Sequence, residues 1–236
     1  MSINTKFRTD TSEIMDDFNL EGEVLREALD KIASINQFLG GNSLTLNGVK
    51  KLISTQPKSR LLTIIDIGCG NGDMLRVLSN YGKENNYSFQ LIGIDANAFT
   101  INHAEKLSEL YPNITFKCEN IFEYEFSQIQ SDIVLCTLTL HHFSNNEIEN
   151  LLTVFYDNSR LGVVINDLQR SSIAYRLFQI ICIFFGLNSM SRGDGLTSIL
   201  RGFKKEELIA FSKKIGFKNY KIKWKWAFRY QWVITK

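Results

Sequence analysis

A glycine-rich turn between an apolar run and a helical segment constrains the fold of this chain more than any other feature. Residues 61–67 form a nearly continuous apolar run, which is typical of a strand buried on both faces of a sheet. Gly68, Gly70 and Gly72 follow it, and a helix is predicted from about residue 73 to 81. Because glycines allow tight turns and bring backbone amides close to a ligand, the pattern predicts a ligand site at the carboxyl end of this strand.

Strands and helices alternate along the rest of the chain. Short apolar runs separated by amphipathic helical segments indicate right-handed β-α-β units and a parallel sheet. The last segment, residues 220–234, alternates aromatic or aliphatic residues with basic ones, so it predicts two antiparallel strands that turn near Phe228 and Arg229. Further strands are predicted at 89–95, 114–118, 132–136 and 162–166, and helices at 98–110, 145–158 and 204–215.

The N-terminal region has helical rather than strand periodicity. Apolar residues recur at helical spacing over 12–39, and a second helix is predicted at 46–55. Asp16 and Asp17 lie near the start of the first helix. We expect residues 1–58 to form a helical lid over the ligand site.

An apolar insertion interrupts the α/β domain, which is predicted to cover residues 59–236. The insertion spans about 171–200 and begins with a very apolar helix at 174–187, followed by a Ser- and Gly-rich loop at 188–195. Such a helix can be core, the wall of a lipophilic pocket or a membrane-facing patch. Basic residues beside it would suit a lipid headgroup region or an acidic acceptor. These basic residues are Arg176, Arg192 and Arg201.

Composition excludes several classes of protein. Of the 236 residues, 44% are hydrophobic and 22% charged, so wholesale disorder is excluded. The longest apolar run, residues 180–187, is far shorter than the ~20 residues that a membrane span needs. The N-terminus lacks a signal peptide's apolar core, so we expect a cytoplasmic protein and leave open a peripheral membrane contact through helix 174–187. No C-x-x-C pair occurs, so no metal is expected, and the cysteines predicted as buried thiols are Cys69, Cys118, Cys136 and Cys182.

Asp95 ends the strand that follows the glycine turn, which favours a nucleoside ligand. An acidic side chain at this position can accept hydrogen bonds from both ribose hydroxyls. The sixth position of the glycine pattern is Asp73 rather than a small residue, and a carboxylate there would repel a pyrophosphate. The phosphate-binding pattern G-x-x-x-x-G-K-S/T is also absent. These residues favour a nucleoside-bearing cofactor over a dinucleotide.

The segment from Asp66 to Gly72 resembles the first motif of class I S-adenosylmethionine-dependent methyltransferases almost residue for residue. The resemblance implies a Rossmann-like, doubly wound α/β fold with seven strands in the order 3-2-1-4-5-7-6, the last one antiparallel. It also implies that S-adenosylmethionine is the cofactor and that Asn120, where the family usually has Asp, contacts adenine. The cofactor-binding residues it implies are Asp66, Gly68, Cys69, Gly70, Gly72, Asp95, Ala96, Asn120, Ile121, Cys136 and Thr137.

A pair of histidines follows the fourth predicted strand. The segment Leu140–Phe143 is similar to the Leu-His-His segment of ubiquinone/menaquinone-type methyltransferases. His141 and His142 are the candidate catalytic residues, because a histidine that faces the cofactor could take a proton from a phenol or hydroxyl. Either one could instead cap the next helix or pack structurally. Two shorter sets of residues, Arg8 with Met15–Asp17 and residues from Arg192 to Phe203, are similar to methyltransferases encoded beside type III polyketide synthases.

These features predict in-line methyl transfer to oxygen or carbon of a small, lipophilic aromatic or phenolic acceptor. Residues 160–236 carry 15 Lys and Arg against 4 Asp and Glu, which keeps an RNA methyltransferase as an alternative. Base-modifying methyltransferases carry Pro-Pro-aromatic or Pro-Cys segments after the fourth strand, and this chain has neither, so nucleic acid is not the expected partner. A non-catalytic cofactor-binding subunit is a second alternative, and the oligomeric state is not predicted.

Overall fold

A seven-stranded sheet forms the centre of the computed structural model, which describes residues 3–123 and 130–236. The strands are β1 (Leu61–Ile67), β2 (Ser88–Asp95), β3 (Ile114–Cys118), β4 (Ser131–Thr137), β5 (Ser159–Leu168), β6 (Asn219–Lys225) and β7 (Arg229–Thr235). Their order is β3-β2-β1-β4-β5-β7-β6. The first five strands are parallel, and β7 runs antiparallel to both β5 and β6. The predicted Rossmann-like fold and strand order are therefore confirmed.

Burial along the strands follows their place in the sheet. The central strands β1 and β4 are buried along most of their length because helices cover both faces. The edge strand β6 alternates partly buried residues with exposed ones, among them Lys221 and Lys223. Charged side chains on an open edge disfavour pairing with another chain. Three of the 15 basic residues of the C-terminal third, Lys221, Lys223 and Lys225, thus lie on this edge strand.

Eight α-helices surround the sheet within the described residues. They are α1 (Glu23–Phe38), α2 (Gly41–Ile53), α3 (Asp73–Asn85), α4 (Ala98–Leu107), α5 (Asn145–Asp157), α6 (Ser172–Phe184), α7 (Ser189–Arg201) and α8 (Lys205–Ile215). Residues of α2, α3 and α4 pack on one face of the sheet, and residues of α5 and α8 pack on the other. Residues of α1, α6 and α7 line a cavity at the carboxyl ends of the parallel strands. None of the helices in the described ranges has the length and apolar character needed to cross a membrane.

The N-terminal region differs from the single helix predicted over 12–39. Helix α1 begins only at Glu23, and a single 3-10 turn covers Ile14–Asp16. Gly22 has a φ of 96°, a positive value that residues within a right-handed helix do not adopt. Before it, the carbonyl at position 20 accepts a hydrogen bond from the Asn97 side chain (2.7 Å). The helix prediction is wrong there because a glycine break and a distant side chain fix a different backbone path.

The Ser- and Gly-rich stretch predicted as a loop at 188–195 is the first half of α7. Asn188 caps this helix, because its side chain accepts a hydrogen bond from the N–H of Ser191 (2.8 Å). Gly195 packs directly against Phe178 of α6, and a Cβ at this position would lie 2.4 Å from the ring. Glycine lowers the local helix propensity, but packing against α6 stabilises the helix, so the loop prediction was wrong.

One cysteine is not buried as predicted. Cys118 is exposed, whereas the other three cysteines are buried and all four are free thiols. The exposure follows from position, because Cys118 is the last residue of β3, which lies at the edge of the sheet.

Candidate active site

The glycine loop, residues 68–72, connects β1 to α3 and opens onto the cavity. The N–H groups of its first two residues donate to the Ile94 carbonyl (2.8 and 3.1 Å), which ties the loop to β2. Gly70 has a φ of 53°, and a Cβ added there would find only Leu29 within 4 Å, at 3.9 Å. The backbone at Gly70 therefore faces open space, as the close approach of a ligand requires.

Three carboxylates, those of Asp66, Asp73 and Asp95, lie around this loop. Oδ1 of Asp66 has no hydrogen-bond partner, although the residue is only 2% exposed. Burial and the negative charges of the other two carboxylates raise the pKa of Asp66 well above its usual range. Asp95 is better satisfied, because it accepts hydrogen bonds from the N–H groups of Gly70 (3.2 Å) and Asn97 (3.1 Å). An unpartnered buried acceptor beside a cavity calls for a donor from a ligand.

These groups fit S-adenosylmethionine. The ammonium and the ribose hydroxyls of this molecule are hydrogen-bond donors, and its sulfonium is positively charged. Asp66 and Asp95 both line the cavity and supply acceptors of negative or partly negative character. The donor set of the molecule thus matches the acceptors that the protein leaves available.

Two of the predicted cofactor residues, Gly72 and Cys136, do not line the cavity. Gly72 precedes α3, and a Cβ there would lie 2.8 Å from the Phe116 ring, so this glycine permits close packing behind the loop. Cys136 is fully buried in the core that β4 shares with α5. Asn120 reaches the cavity, but its side-chain oxygen Oδ1, which was expected to contact adenine, accepts a hydrogen bond from the backbone N–H at position 122 (3.1 Å). The other predicted residues line the cavity: Asp66, Gly68, Cys69, Gly70, Asp95, Ala96, Ile121 and Thr137.

The His turn, Leu140–His142, follows β4 and holds both candidate catalytic residues. Nδ1 of His141 lies 2.7 Å from Oδ1 of Asp167, and the His141 backbone N–H donates to the same carboxylate (3.2 Å). Burial opposes ionisation of Asp167, but the adjacent His141 outweighs it and lowers the pKa of this carboxyl. Nε2 of His141 has no hydrogen-bond partner and lies 3.8 Å from the equally unpartnered Oε1 of Glu13. Burial raises the pKa of Glu13, so a ligand hydroxyl at this wall of the cavity can donate to His141 Nε2 while its oxygen accepts from a protonated Glu13.

The lid segment, residues 13–20, reaches both sides of the cavity. Oδ1 of Asp16 lies 2.6 Å from Nδ1 of His142, and Oδ2 of Asp16 accepts a hydrogen bond from Arg201 (2.6 Å). Burial opposes ionisation of Asp16, but the hydrogen bonds with His142, the Glu13 backbone N–H and Arg201 outweigh it and lower its pKa. At its other end, the segment accepts a hydrogen bond from Asn97, which directly follows Ala96 after β2. One short stretch of chain is thus bonded to the His turn and to the end of β2.

Arg201 differs from the other two arginines beside the insertion, because its position does not suit a lipid headgroup region. It is only 8% exposed, whereas the other two are exposed. It donates to the carbonyls of His141 (3.2 Å) and His142, and its guanidinium lies 3.7 Å from Oε1 of Glu13. Glu13 and the two histidines place metal-ligand atoms within 4.8 Å of one another. The arginine, however, already supplies a fixed positive charge beside them.

The cavity has a volume of about 590 Å³ and joins the glycine loop to the His turn. Its polar groups are concentrated on the loops at the sheet edge and on the lid segment. Most of the remaining wall is apolar and comes from α1, α6, α7 and the turn between β6 and β7. Apolar lining residues include Leu25, Leu29, Ile32, Phe178, Ile181 and Phe228.

Sequence analysis missed three residues of this site: Glu13, Asp167 and Arg229. Asp167 lies near the end of β5, at the same sheet edge as Asp95, so its strand-end position could have identified it. No local pattern marks Glu13, which reaches the His turn only through the path of the lid segment. Arg229 was predicted as a turn residue, but it is 3% exposed and lines the cavity at the start of β7.

Comparison with known proteins finds relatives named as methyltransferases and as carboxy-S-adenosyl-L-methionine synthases. Residues 64–162 match the family described as a methyltransferase domain. A carboxy-S-adenosyl-L-methionine synthase of Helicobacter pylori (strain P12) is 23% identical over 191 residues, which cover 76% of each chain. The structure of the plantazolicin methyltransferase BpumL in complex with SAH has a TM-score of 0.67 at 18% identity, covering 88% of this chain and 89% of that one. The magnesium protoporphyrin IX methyltransferase (ChlM) from Synechocystis PCC 6803, also with bound SAH, has a TM-score of 0.56 at 16% identity and covers 84% of each chain.

The two solved structures share the fold of this chain, and the matched family covers the part that contains the glycine loop, Asp95 and the His turn. Both neighbours were solved with bound SAH, which is S-adenosylmethionine without its methyl group. The hydrogen-bond acceptors of the cavity described above fit the same cofactor. Residues 64–162 therefore resemble a methyltransferase domain, and the fold and the site agree that the chain is an S-adenosylmethionine-dependent methyltransferase with the class I fold.

Proposed function

We propose that this enzyme methylates oxygen or carbon of a small, lipophilic aromatic or phenolic acceptor. One observation carries the proposal. His141 is oriented by Asp167, leaves Nε2 without a partner, and lines a largely apolar cavity that continues to the glycine loop. A base beside an apolar cavity suits an acceptor whose hydroxyl must lose a proton.

Side chains of the protein can take up the proton that the acceptor hydroxyl loses. When bound, S-adenosylmethionine supplies an electrophilic methyl group on its sulfonium, and Asp66 and Asp95 are the residues that would hold its donors. His141 Nε2 takes the proton of the acceptor hydroxyl, which leaves a nucleophilic oxygen. Asp167 accepts the Nδ1–H and stabilises the imidazolium that results. Glu13 Oε1 lies 3.8 Å from Nε2, and its carboxyl, whose pKa burial raises, can orient the hydroxyl by donating to its oxygen.

The apolar wall contributes by excluding water. Residues 1–58 are proposed to act as a lid, whose α1 supplies Leu25, Leu29 and Ile32 to the wall. Closing such a lid over the acceptor strengthens the electrostatic interactions inside and positions the reacting groups. Displacement at a sulfonium gains more from this positioning than from additional acid–base groups.

Two observations favour a phenolic acceptor of the quinone-precursor or polyketide type. The Leu-His-His segment resembles that of ubiquinone/menaquinone-type enzymes, and its first histidine occupies the position of a base. The two stretches that resemble methyltransferases encoded beside type III polyketide synthases contact each other, since Asp194 accepts the N–H groups of Ile14 and Met15 (2.9 and 3.0 Å). The solved neighbours are named for small-molecule acceptors, plantazolicin and magnesium protoporphyrin IX.

Calorimetric titration with SAH tests the cofactor assignment first. Wild type is expected to bind SAH, and Asp95→Ala is expected to weaken binding about 100-fold, because a carboxylate that accepts ribose hydroxyls is lost. NADH is expected not to bind. A folded wild-type protein that binds NADH but not SAH would overturn the assignment.

Methyl transfer from labelled S-adenosylmethionine then tests the acceptor class. Alkylated phenols and quinone precursors are expected to be labelled, and RNA is not. Steeply salt-dependent RNA binding together with RNA labelling would favour the alternative that the basic C-terminal third suggests. Cofactor binding without transfer to any acceptor would favour a non-catalytic partner subunit.

The outer face of α6 supports a peripheral membrane contact of an otherwise cytoplasmic enzyme. Ile180, Ile183 and Phe184 are 63%, 77% and 82% exposed, while Phe178 and Ile181 of the same helix line the cavity. A helix that is apolar on both faces can lie on a lipid surface and receive a lipophilic acceptor from it. Wild type is expected to sediment with anionic vesicles, whereas an Ile183→Ser/Phe184→Ser variant is expected to stay in the supernatant. Equal sedimentation of both proteins would contradict this contact.

A further inference from the structure

Arg229 differs from the other buried arginines of the described residues in having no carboxylate partner. Arg170 is fully buried and pairs with Glu207 (2.6 Å), and Arg201 pairs with Asp16 (2.6 Å). No comparable ion pair of Arg229 is formed within the described parts of the chain. A buried cation without a counterion is costly, and this usually means that its partner comes from elsewhere.

The guanidinium of Arg229 is only partly satisfied by hydrogen bonds. Its Nη1 donates to Oδ1 of Asn36, which is in turn bonded to Asn42. Its buried Nε has no partner. Burial lowers the pKa of Arg229 to about 10, although the charge of Asp167 opposes this shift. Asp167 is itself engaged by His141, so it does not act as a dedicated counterion.

The backbone of Arg229 lies on the side of the cavity away from the glycine loop. It begins β7, opposite Leu168 at the end of β5. Strands β1, β4, β5 and β7 are successive neighbours, so at ~4.8 Å per strand the start of β7 lies roughly 14 Å along the sheet edge from the glycine loop. The turn beside it adds Trp226 and Phe228 to the cavity wall. The side chain reaches back to Asn36, and Asn42 next to it donates to Asp73 (2.8 Å), so the guanidinium lies between the apolar turn on the acceptor side and the polar residues behind the glycine loop.

We propose that Arg229 recognises a carboxylate on the acceptor, which would make the substrate a lipophilic aromatic acid. This proposal rests on the proposed function. The free Nε edge of a guanidinium forms the fork that binds a carboxylate through two parallel hydrogen bonds. An incoming carboxylate would supply the missing counterion, and its ring and alkyl chain would meet the apolar wall.

A matched pair of probes tests the proposal: 3-octyl-4-hydroxybenzoate and its primary amide, which differ only in the anionic group. Wild type is expected to methylate the acid with a KM about 30-fold below that of the amide, as expected for losing a charge-assisted bond. Arg229→Met is expected to abolish this preference by raising the KM of the acid alone. Arg192→Met, which removes an exposed arginine, is expected to keep the preference.

The remaining outcomes are also decisive. If wild type methylates both probes with equal KM, or methylates neither while binding SAH, the carboxylate proposal fails and the methyltransferase assignment stands. If Arg229→Met loses affinity for SAH but not for 5′-methylthioadenosine, which lacks the amino acid part, Arg229 holds the carboxylate of the cofactor and the proposal is overturned. Should Arg229→Met not fold, Arg229→Lys keeps the charge without the fork, and an unchanged preference for the acid in that variant overturns bidentate recognition.

Discussion

The two halves of the site are assembled in different ways. The cofactor half consists of the glycine loop, Asp66 and Asp95, which lie on two neighbouring strands within 30 positions of the chain. The acceptor half consists of the His turn, the lid segment, Asp167 and Arg229, which are spread along the chain from position 13 to position 229. The first half is therefore fixed by one β-α-β unit, whereas the second exists only when the whole domain is folded. Variants should separate the two halves.

Removing the base should give the largest difference between the effect on turnover and the effect on cofactor binding. His141→Ala is expected to lower kcat about 1000-fold, because general base catalysis contributes on this scale, while the Kd for SAH stays unchanged. Steady-state kinetics and calorimetry on the same preparation measure both. His103→Ala is the matched control, since His103 lies on α4, pairs with Asp30 and does not line the cavity. A His141→Ala enzyme with near wild-type kcat would remove the base from the mechanism.

Loosening the lid segment should affect the acceptor half less strongly. Asp16→Asn removes the carboxylate that joins His142 to Arg201, and we expect the KM for the acceptor to rise about 10-fold from losing charge-assisted hydrogen bonds. Affinity for SAH should change little. Asp17→Asn, at an exposed neighbouring position, serves as the control. Equal effects of the two variants would show that the Asp16 contacts do not organise the site.

A variant in the cofactor half should bind SAH more weakly but unfold at a higher temperature. The pKa of Asp66 is raised by burial, so the folded state keeps a proton that the unfolded state releases above about pH 4. The stability of wild type therefore falls as pH rises from there towards the raised pKa. Asp66→Asn should have a Tm about 3 °C higher at pH 7, equal to about 1 kcal/mol, and should lose SAH affinity. Thermal unfolding of both proteins from pH 4 to 8 should show that the difference in Tm disappears at the acidic end. A Tm difference that does not change with pH would contradict the ionisation argument.

The same contrast explains how much of the molecule could be predicted from sequence. The glycine loop and Asp95 lie at strand ends in consecutive units, so local patterns were enough to place them and the strand order followed by resemblance. Helix α7 was missed because Gly193 and Gly195 lower local propensity, whereas its stability comes from packing on Phe178. Glu13 and Arg229 acquire their roles from contacts across the domain, such as that of Arg229 with Asn36, and no periodicity records such contacts.

The lid segment has a consequence for the order of events in a turnover. It is bonded to the His turn through Asp16 and to Asn97 at the end of β2, so its opening as the proposed lid would uncover both halves of the cavity together. Methylated product and spent cofactor would leave through the same opening. An acceptor with two methylation sites would then have to be released and captured again between steps. The enzyme is therefore expected to be distributive, with singly methylated molecules accumulating before doubly methylated ones.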